Sequence, residues 1–365
     1  MSKYRTTVFG AGGMGIPTVF DQAQFCETKW INLVDPNWDR LHHAMKVLPD
    51  LLGKELSNKI SYFQKASALV WDKVDVAISC APHAANMELT KQAMEFGVPF
   101  CDLGGCGHVV EEQEKLAQDA KTAIVPDCGV SPGIADILAV HLVKYYGLKQ
   151  IRVRCGGNPA RRPDPETNPL LYKLIYNAEG LASGYSGWCY EIEDSVLIQV
   201  PAVGYVERFD DEFESAPTSH HSRFSIEHLI ALGVEKYDYQ TLRYHGHYAE
   251  LTKGGWRHTC DPHLLAERFQ NKPELVFNRN FDVDRMTLVV EDVSSKLSYR
   301  YDLYSDLITK FTAMELMTSW GISIVAHHMA SGRGKPDGFA MPQEFVDSVW
   351  LIEQLSRRRE HFDLI

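Results

Sequence analysis

The feature that most constrains this chain is a glycine pattern directly after its first short apolar run. Gly10, Gly12 and Gly15 form G-x-G-x-x-G immediately behind the β-rich residues 6–9. In such a pattern the first glycine allows a tight turn, the second lets the backbone approach a pyrophosphate, and the third lets a helix pack closely on a strand. The segment therefore predicts a strand, a phosphate-binding loop and a helix N-terminus in succession.

The residues that follow alternate short β-rich runs with amphipathic stretches of helical length. The runs are residues 6–9, 30–34, 59–63, 74–79, 99–103 and 122–125. Strands separated by helices pair in parallel, and right-handed crossovers place helices on both faces of the sheet. We predict an α/β Rossmann domain with a doubly wound parallel sheet over residues 1–130.

The pattern changes near residue 150, where the segments become longer, richer in tyrosine and less regularly alternating. We predict a helix from about Pro132 and then an inserted α+β domain, the whole spanning residues 131–305. Apolar residues at helical spacing predict helices over 306–329 and 343–359, separated by a glycine-rich break at 331–338. We expect residues 306–365 to return to the Rossmann domain.

Composition narrows the partners. The 365 residues are 45% hydrophobic, as expected for a globular protein, and the formal net charge of −11 disfavours nucleic acid as a partner. The eight cysteines form no C-x-x-C pair, which favours reduced thiols and a cytoplasmic location. No apolar run is long enough for a membrane anchor. Because the negative charge disfavours nucleic acid, we expect a small-molecule ligand.

An acidic residue ends the second predicted strand. Asp35 lies about twenty residues after Gly15, where a dinucleotide-binding fold places the acid that accepts the ribose hydroxyls. This favours NAD over NADP, although Arg40 nearby keeps NADP open. The alternative is that Asp35 only opens a turn with Pro36.

Further candidates stand where later strands end. Ala81 and Pro82 follow the fourth strand, where backbone commonly lies against the cofactor, and His83 is either a proton carrier or an ordinary surface histidine. Asp102 ends the fifth strand and Asp127 the sixth. The predicted cofactor-binding residues are Gly10, Gly12, Gly13, Met14, Gly15, Asp35, Ala81, Pro82, His83 and Asp102.

Catalytic candidates cluster in the second domain and at the join before it. Arg243 offers a planar guanidinium that can grip a substrate carboxylate, unless it is a structural arginine paired with an acid. Neighbouring polar groups, Lys173 among them, could bind an amine or move protons. The predicted catalytic residues are Asp127, Glu179, Arg243, Tyr244 and His247.

Other chemistries lack their sequence patterns. His258, Cys260, Asp261 and His263 cluster without the second ligand pair of a zinc site, and we predict no metal. The sequence also lacks G-x-x-x-x-G-K-[ST] and H-E-x-x-H, so it offers no basis for nucleotide hydrolysis or zinc proteolysis.

Several segments taken in order resemble one family. They are VFGAGGMG, SCAPH, PDCGVSPGIAD, CGGNP, NPLLYK, AEGL and TLRYHGH. Together they resemble the saccharopine dehydrogenase-like family, most closely its lysine 6-dehydrogenase branch.

That resemblance implies an NAD(P)-dependent oxidoreductase that acts on the CH–NH bond of an amino acid and forms a homodimer. The leading expectation is oxidative deamination of the L-lysine side chain to the 6-semialdehyde. One alternative is a reductive condensing enzyme of the saccharopine or carboxynorspermidine type, which would need a second carboxylate anchor such as Arg161, Arg162 or Arg208. Another is a dinucleotide-binding protein without catalysis.

Overall fold

The computed structural model describes residues 3–104, 107–118, 120–334 and 336–362. For residues 68 and 69 it describes the backbone alone. Cys106, one of the predicted reduced thiols, lies outside these ranges; the seven described cysteines are free thiols. No helix in the described ranges is both long and apolar enough to span a membrane.

The strands and helices follow the alternation predicted for the first third of the chain. The strands are β1 (Tyr4–Phe9), β2 (Thr28–Val34), β3 (Ile60–Phe63), β4 (Val76–Ser79), β5 (Phe100–Asp102), β6 (Ile124–Val125), β7 (Gln150–Pro159), β8 (Trp188–Glu193), β9 (Val196–Pro201), β10 (Glu207–Arg208), β11 (Phe213–Pro217), β12 (Lys236–Tyr244), β13 (Asp284–Asp292) and β14 (Ser298–Tyr304). The helices are α1 (Gly15–Phe25), α2 (Trp38–Ser57), α3 (Ala68–Trp71), α4 (Asn86–Phe96), α5 (Gly107–Ala117), α6 (Ile134–Tyr146), α7 (Ala178–Gly184), α8 (Arg223–Ala231), α9 (His247–Lys253), α10 (Pro262–Gln270), α11 (Ala313–Ala330), α12 (Pro342–Phe345) and α13 (Ser348–His361).

Six parallel strands form the first sheet, in the order β3-β2-β1-β4-β5-β6. This is the strand order of the Rossmann fold, in which the crossover reverses direction beside the first strand. The predicted doubly wound parallel sheet is confirmed. The glycine pattern begins at the carboxyl end of β1, and so at the carboxyl edge of this parallel sheet.

The second sheet is mixed and has the order β10-β11-β12-β7-β13-β14, with the β8–β9 hairpin joined to β12. β12 runs parallel to β7, whereas β11 and β13 run antiparallel to their neighbours. Because successive side chains of a strand point to opposite faces, Tyr239, Thr241 and Arg243 of β12 share one face. The predicted α+β character is confirmed.

Contacts within the chain define two compact units. One comprises Met1–Ile137 and Glu315–Asp363, and the other is built from Leu138–Met314. These bounds lie close to the limits predicted at residues 130 and 305.

The helix predicted over residues 306–329 begins later than expected. Residues 306–311 form a closed turn, in which the Asp306 carboxylate accepts the Thr309 backbone N–H at 2.6 Å. The helix starts at Ala313, whose N–H donates to the carboxylate of Asp284 at 2.8 Å. A carboxylate stabilises a helix N-terminus, and here it comes from a residue distant in the sequence.

The first unit contains a buried ion pair that joins α1 to α13. Arg358 donates from Nε and Nη2 to the two oxygens of Asp21, both at 2.7 Å. The guanidinium carbon also lies 5.0 Å from the centroid of the Phe25 ring. Both charged side chains are almost completely buried, so neither charge can be solvated without its partner.

We expect Arg358→Met to lower the free energy of unfolding by about 3–5 kcal/mol, since it leaves the Asp21 carboxylate buried and uncompensated. Asp21→Asn should cost a similar amount, and the double variant should recover part of the loss. Urea denaturation of the three variants measures this. A single variant as stable as the wild type would contradict it.

Candidate functional site

The glycine loop leaves open space beside the second glycine. Gly10 has φ +98°, and a Cβ there would lie 2.8 Å from the Cys80 carbonyl oxygen. A Cβ on Gly15 would collide with the Gly10 carbonyl oxygen, whereas one on Gly12 would meet no atom within 4 Å. Gly10 and Gly15 therefore make the turn compact, and the space at Gly12 fits a pyrophosphate at the start of α1.

The Asp35 side chain is hydrogen-bonded to this loop. Its Oδ2 accepts the backbone N–H of Ala11 and its Oδ1 accepts that of Asn37, both at 2.8 Å. Nη1 of Arg40 lies 3.8 Å from Oδ2, and the Asp35 side chain is only 2% exposed. The carboxylate therefore fixes the loop shape, and a positive group stands beside it.

Other predicted cofactor residues surround the same loop. Gly13 is exposed, and the Met14 carbonyl accepts the Thr18 hydroxyl at 2.7 Å inside the first turn of α1. Ala81 follows β4, and its nitrogen would lie 3.0 Å from a Cβ on Gly10. Pro82 and His83 are exposed at the start of a short 3-10 helix. The loop after β4 thus borders the glycine loop.

The two predicted aspartates lie at adjacent strand ends but differ in their surroundings. Asp102 is fully buried and accepts hydrogen bonds from Gln113 Nε2 at 2.6 Å and from the Gly104 N–H at 2.7 Å. Asp127 is buried with φ +60°, and its side chain lies where a Cβ on Gly104 would stand. Burial raises the pKa of Asp102 to about 6, against these hydrogen bonds.

In the second unit, Arg243 lies buried at the end of β12. Its Nε donates to the Tyr185 hydroxyl at 2.8 Å, and Nη1 donates to the carbonyl of Leu242 at 2.8 Å and that of Gly157 at 3.4 Å. Its guanidinium carbon lies 4.6 Å from the centroid of the Tyr172 ring. These contacts fix the plane of the guanidinium.

His247 holds Tyr185 in place. Its Nδ1 is 2.6 Å from the Leu170 carbonyl, which can only accept, so Nδ1 carries the proton. Nε2 must then accept the Tyr185 hydroxyl at 3.0 Å, which leaves the tyrosine oxygen free to accept from Arg243. Burial, with the positive charge of Arg243, lowers the pKa of His247 to about 3. We call Arg243, Tyr172, Tyr185 and His247 the Arg243 cluster.

The Arg243 cluster contains unsatisfied donors. Among the described residues, no carboxylate lies within ion-pair distance of Arg243, and no acceptor is bonded to its Nη2. The Tyr172 hydroxyl is buried without a hydrogen-bond partner. A buried cation beside an unpartnered hydroxyl is a site suited to an anion such as a carboxylate.

The remaining predicted catalytic residues stand apart from this cluster. The Tyr244 hydroxyl donates to the Pro159 carbonyl at 2.7 Å, Glu179 is exposed in the first turn of α7, and Lys173 pairs with Asp282 at 2.8 Å. Sequence analysis named His247 but missed Tyr185, which has no distinctive sequence context. Tyr172 could have been found, since it belongs to the NPLLYK segment.

Within the described ranges, no three histidine, cysteine or acidic side chains are grouped so that they could hold a metal ion. The absence of a metal stays a prediction.

Comparison with known proteins identifies the second part of the chain. The family model described as the saccharopine dehydrogenase C-terminal domain matches residues 129–359, more than half of the chain. Mitochondrial alpha-aminoadipic semialdehyde synthase of Mus musculus is 28% identical over 122 residues, which are 32% of this chain and 13% of that protein.

A second curated relative is the saccharopine dehydrogenase (NADP(+), L-glutamate-forming) of Pyricularia oryzae, which is 25% identical over 114 residues, 30% of this chain and 25% of that protein. The matches thus span a quarter or less of each of these two curated relatives. Apo histidine-tagged saccharopine dehydrogenase (L-Glu forming) from Saccharomyces cerevisiae aligns over 99% of this chain and 98% of its own, with TM-score 0.69 and 14% identity. At that identity it supports the fold alone.

We expect the stability of the protein to depend on Asp102 between pH 4 and pH 7. Its raised pKa means that the folded protein holds this proton more tightly than the unfolded chain, so the stabilisation is complete at low pH and is lost as the pH rises through about 6. Asp102→Asn keeps a neutral group at every pH. It should stabilise the protein by about 1–2 kcal/mol at pH 7.5 and by much less at pH 4.5.

Chemical denaturation of both proteins at the two pH values measures this difference. Asp75→Asn serves as a control, because Asp75 is an exposed acid near β4. An equal effect of Asp102→Asn at both pH values would contradict the prediction.

Proposed function

The chain belongs to the saccharopine dehydrogenase C-terminal domain family, and from that premise we propose that it is an NAD(P)-dependent oxidoreductase acting on the CH–NH bond of an amino acid. The observation that carries this proposal is the buried Arg243, which has a free Nη2 and no carboxylate partner among the described residues. The glycine loop in the Rossmann unit supports the dinucleotide half of the proposal.

A bound nicotinamide dinucleotide would supply the hydride acceptor. Gly12 and the N-terminus of α1 would hold its pyrophosphate, with Asp35 fixing the loop. The Asp35 carboxylate favours NAD because it would repel a 2′-phosphate, but Nη1 of Arg40 lies 3.8 Å from it, so both NAD and NADP belong in the assay.

Arg243 and Tyr172 would bind the substrate carboxylate. Nη2 can donate to one carboxylate oxygen, and the unpartnered Tyr172 hydroxyl can donate to a carboxylate or another acceptor. His247 would act through Tyr185, since both of its ring nitrogens are already bonded. Its lowered pKa keeps it neutral at physiological pH, which suits a positioning residue better than a proton carrier.

The leading substrate is L-lysine, whose side-chain amine would be oxidised and hydrolysed to the 6-semialdehyde. The name of the mouse relative, alpha-aminoadipic semialdehyde synthase, supports this product class.

The second candidate substrate is saccharopine, which the name of the Pyricularia oryzae relative favours. It would need a further carboxylate anchor. Of the predicted arginines, Arg162 donates to the carbonyl of His245 at 3.2 Å, and Arg208 is paired with Asp211 at 2.5 Å. Arg162 is the better candidate, because its partner directly follows β12.

We expect the purified protein to reduce NAD or NADP in the presence of L-lysine or of saccharopine. Absorbance of the reduced nicotinamide measures this, with each cofactor tested against each substrate. Turnover of lysine supports deamination, whereas turnover of saccharopine alone supports the second candidate. Dinucleotide binding without turnover of either would leave a non-catalytic binding protein.

Arg243→Met should raise the KM for the substrate by about 30-fold or more and leave the KM for the dinucleotide unchanged, because it removes a charged donor to the carboxylate. Arg223→Met is the matched control, since Arg223 is exposed on α8 beside Glu227. An unchanged substrate KM in Arg243→Met would remove Arg243 from the site.

A further inference from the structure

His220 is a second imidazole on the same sheet face as the Arg243 cluster. Its Nδ1 lies 2.9 Å from the Thr218 hydroxyl, which lies 2.7 Å from the Thr241 hydroxyl. Thr241 precedes Arg243 by two positions and faces the same way along β12. The chain of hydroxyls thus holds His220 above the strand that carries Arg243.

One direction of these hydrogen bonds gives every hydroxyl proton an acceptor. The Tyr239 hydroxyl lies 3.2 Å from the Thr241 hydroxyl and also interacts with that of Thr218. When Tyr239 donates to Thr241, Thr241 can donate to Thr218 and Thr218 to Nδ1 of His220. This order places the His220 proton on Nε2.

The Nε2 atom of His220 stands at the free end of this series of hydrogen bonds. It has no hydrogen-bond partner within the described ranges, and His220 keeps part of its surface exposed. Burial, with the positive charge of Arg243, lowers the pKa of His220 to about 3, so the ring is neutral at physiological pH.

The last residue of α7 makes room for this imidazole. A Cβ added to Gly184 would collide with the His220 ring and would lie 2.6 Å from its Nε2. The next residue is Tyr185, which holds Arg243. Consecutive residues at one helix end therefore set the positions of both His220 and Arg243.

Arg243 alone offers a substrate carboxylate few hydrogen-bond donors. Its Nε and Nη1 are used within the protein, so it can offer a carboxylate only the hydrogens of Nη2. The fork that usually binds both carboxylate oxygens is not available, so donors outside the guanidinium must complete the contact; the Tyr172 hydroxyl is one, and a carboxylate can accept more than two hydrogen bonds.

We propose that His220 is a second substrate-contacting residue, whose Nε2–H donates to the carboxylate held by Arg243, and that residue 184 must be glycine for the imidazole to occupy this place. This inference rests on the proposed function. It names the ligand group as a carboxylate that accepts from His220 as well as from Arg243 and Tyr172, all in the second unit.

A double-mutant cycle tests it, with L-lysine or saccharopine as the probe, whichever the wild type turns over. His220→Ala should raise the substrate KM by about 10-fold to 100-fold and leave the dinucleotide KM unchanged, as expected for loss of a hydrogen bond to a charged group. Gly184→Ala should do the same by displacing the ring. Added to His220→Ala, it should cost nothing more, since no imidazole remains to be displaced.

His220→Gln, which keeps an N–H donor, should recover part of the affinity. Ser183→Ala is the control for Gly184→Ala, because Ser183 is an exposed neighbour on α7. Thermal unfolding of each variant shows that the comparison is between folded proteins. The proposal is overturned if His220→Ala leaves the substrate KM unchanged, or if Gly184→Ala costs as much without the imidazole as with it.

Arg243→Met separates this inference from the proposed function. If Arg243→Met raises the substrate KM and His220→Ala does not, only the role of His220 fails. If neither variant changes the KM of a substrate that is turned over, the carboxylate site lies elsewhere, so the roles of His220 and Arg243 both fail while the proposed activity stands.

Discussion

Burial of the Arg243 charge determines how its surroundings are built. A guanidinium removed from water needs acceptors for its N–H groups and a polarisable neighbour. Two carbonyls, the Tyr185 hydroxyl and the Tyr172 ring supply these without adding negative charge. The positive potential that remains lowers the pKa of both His247 and His220, beyond what burial does. The Arg243 guanidinium, surrounded by neutral histidines and without a carboxylate partner among the described residues, forms a site that attracts an anion.

Two other buried arginines show what a structural arginine looks like in this protein. Arg154 lies 2.5 Å from Asp238 and 3.1 Å from Glu207, and Arg358 binds both oxygens of Asp21. Each is neutralised within its own unit, so its charge joins elements and attracts no ligand. Arg243 is equally buried but has only neutral neighbours among the described residues. The contrast favours binding over structure as its role.

Sequence patterns predicted the first unit better than the second. The glycine spacing and the β–α alternation depend on neighbours along the chain, so the parallel sheet and the loop after β1 could be predicted. The start of α11 could not, because its capping carboxylate belongs to Asp284 and only the fold brings it there. His220 carries no sequence motif that would single it out. Its significance depends on Gly184 and Thr241, which are distant in sequence.

The glycine loop and the Arg243 cluster differ in how specific their binding can be. The glycine loop offers backbone and open space, which suit the pyrophosphate common to all nicotinamide dinucleotides. The Arg243 cluster offers side chains whose hydrogen-bond directions are fixed by one carbonyl, that of Leu170, through His247 and Tyr185. A change in any of these side chains alters what the guanidinium can present. Under the proposed function, discrimination between amino-acid substrates would accordingly reside in the second unit.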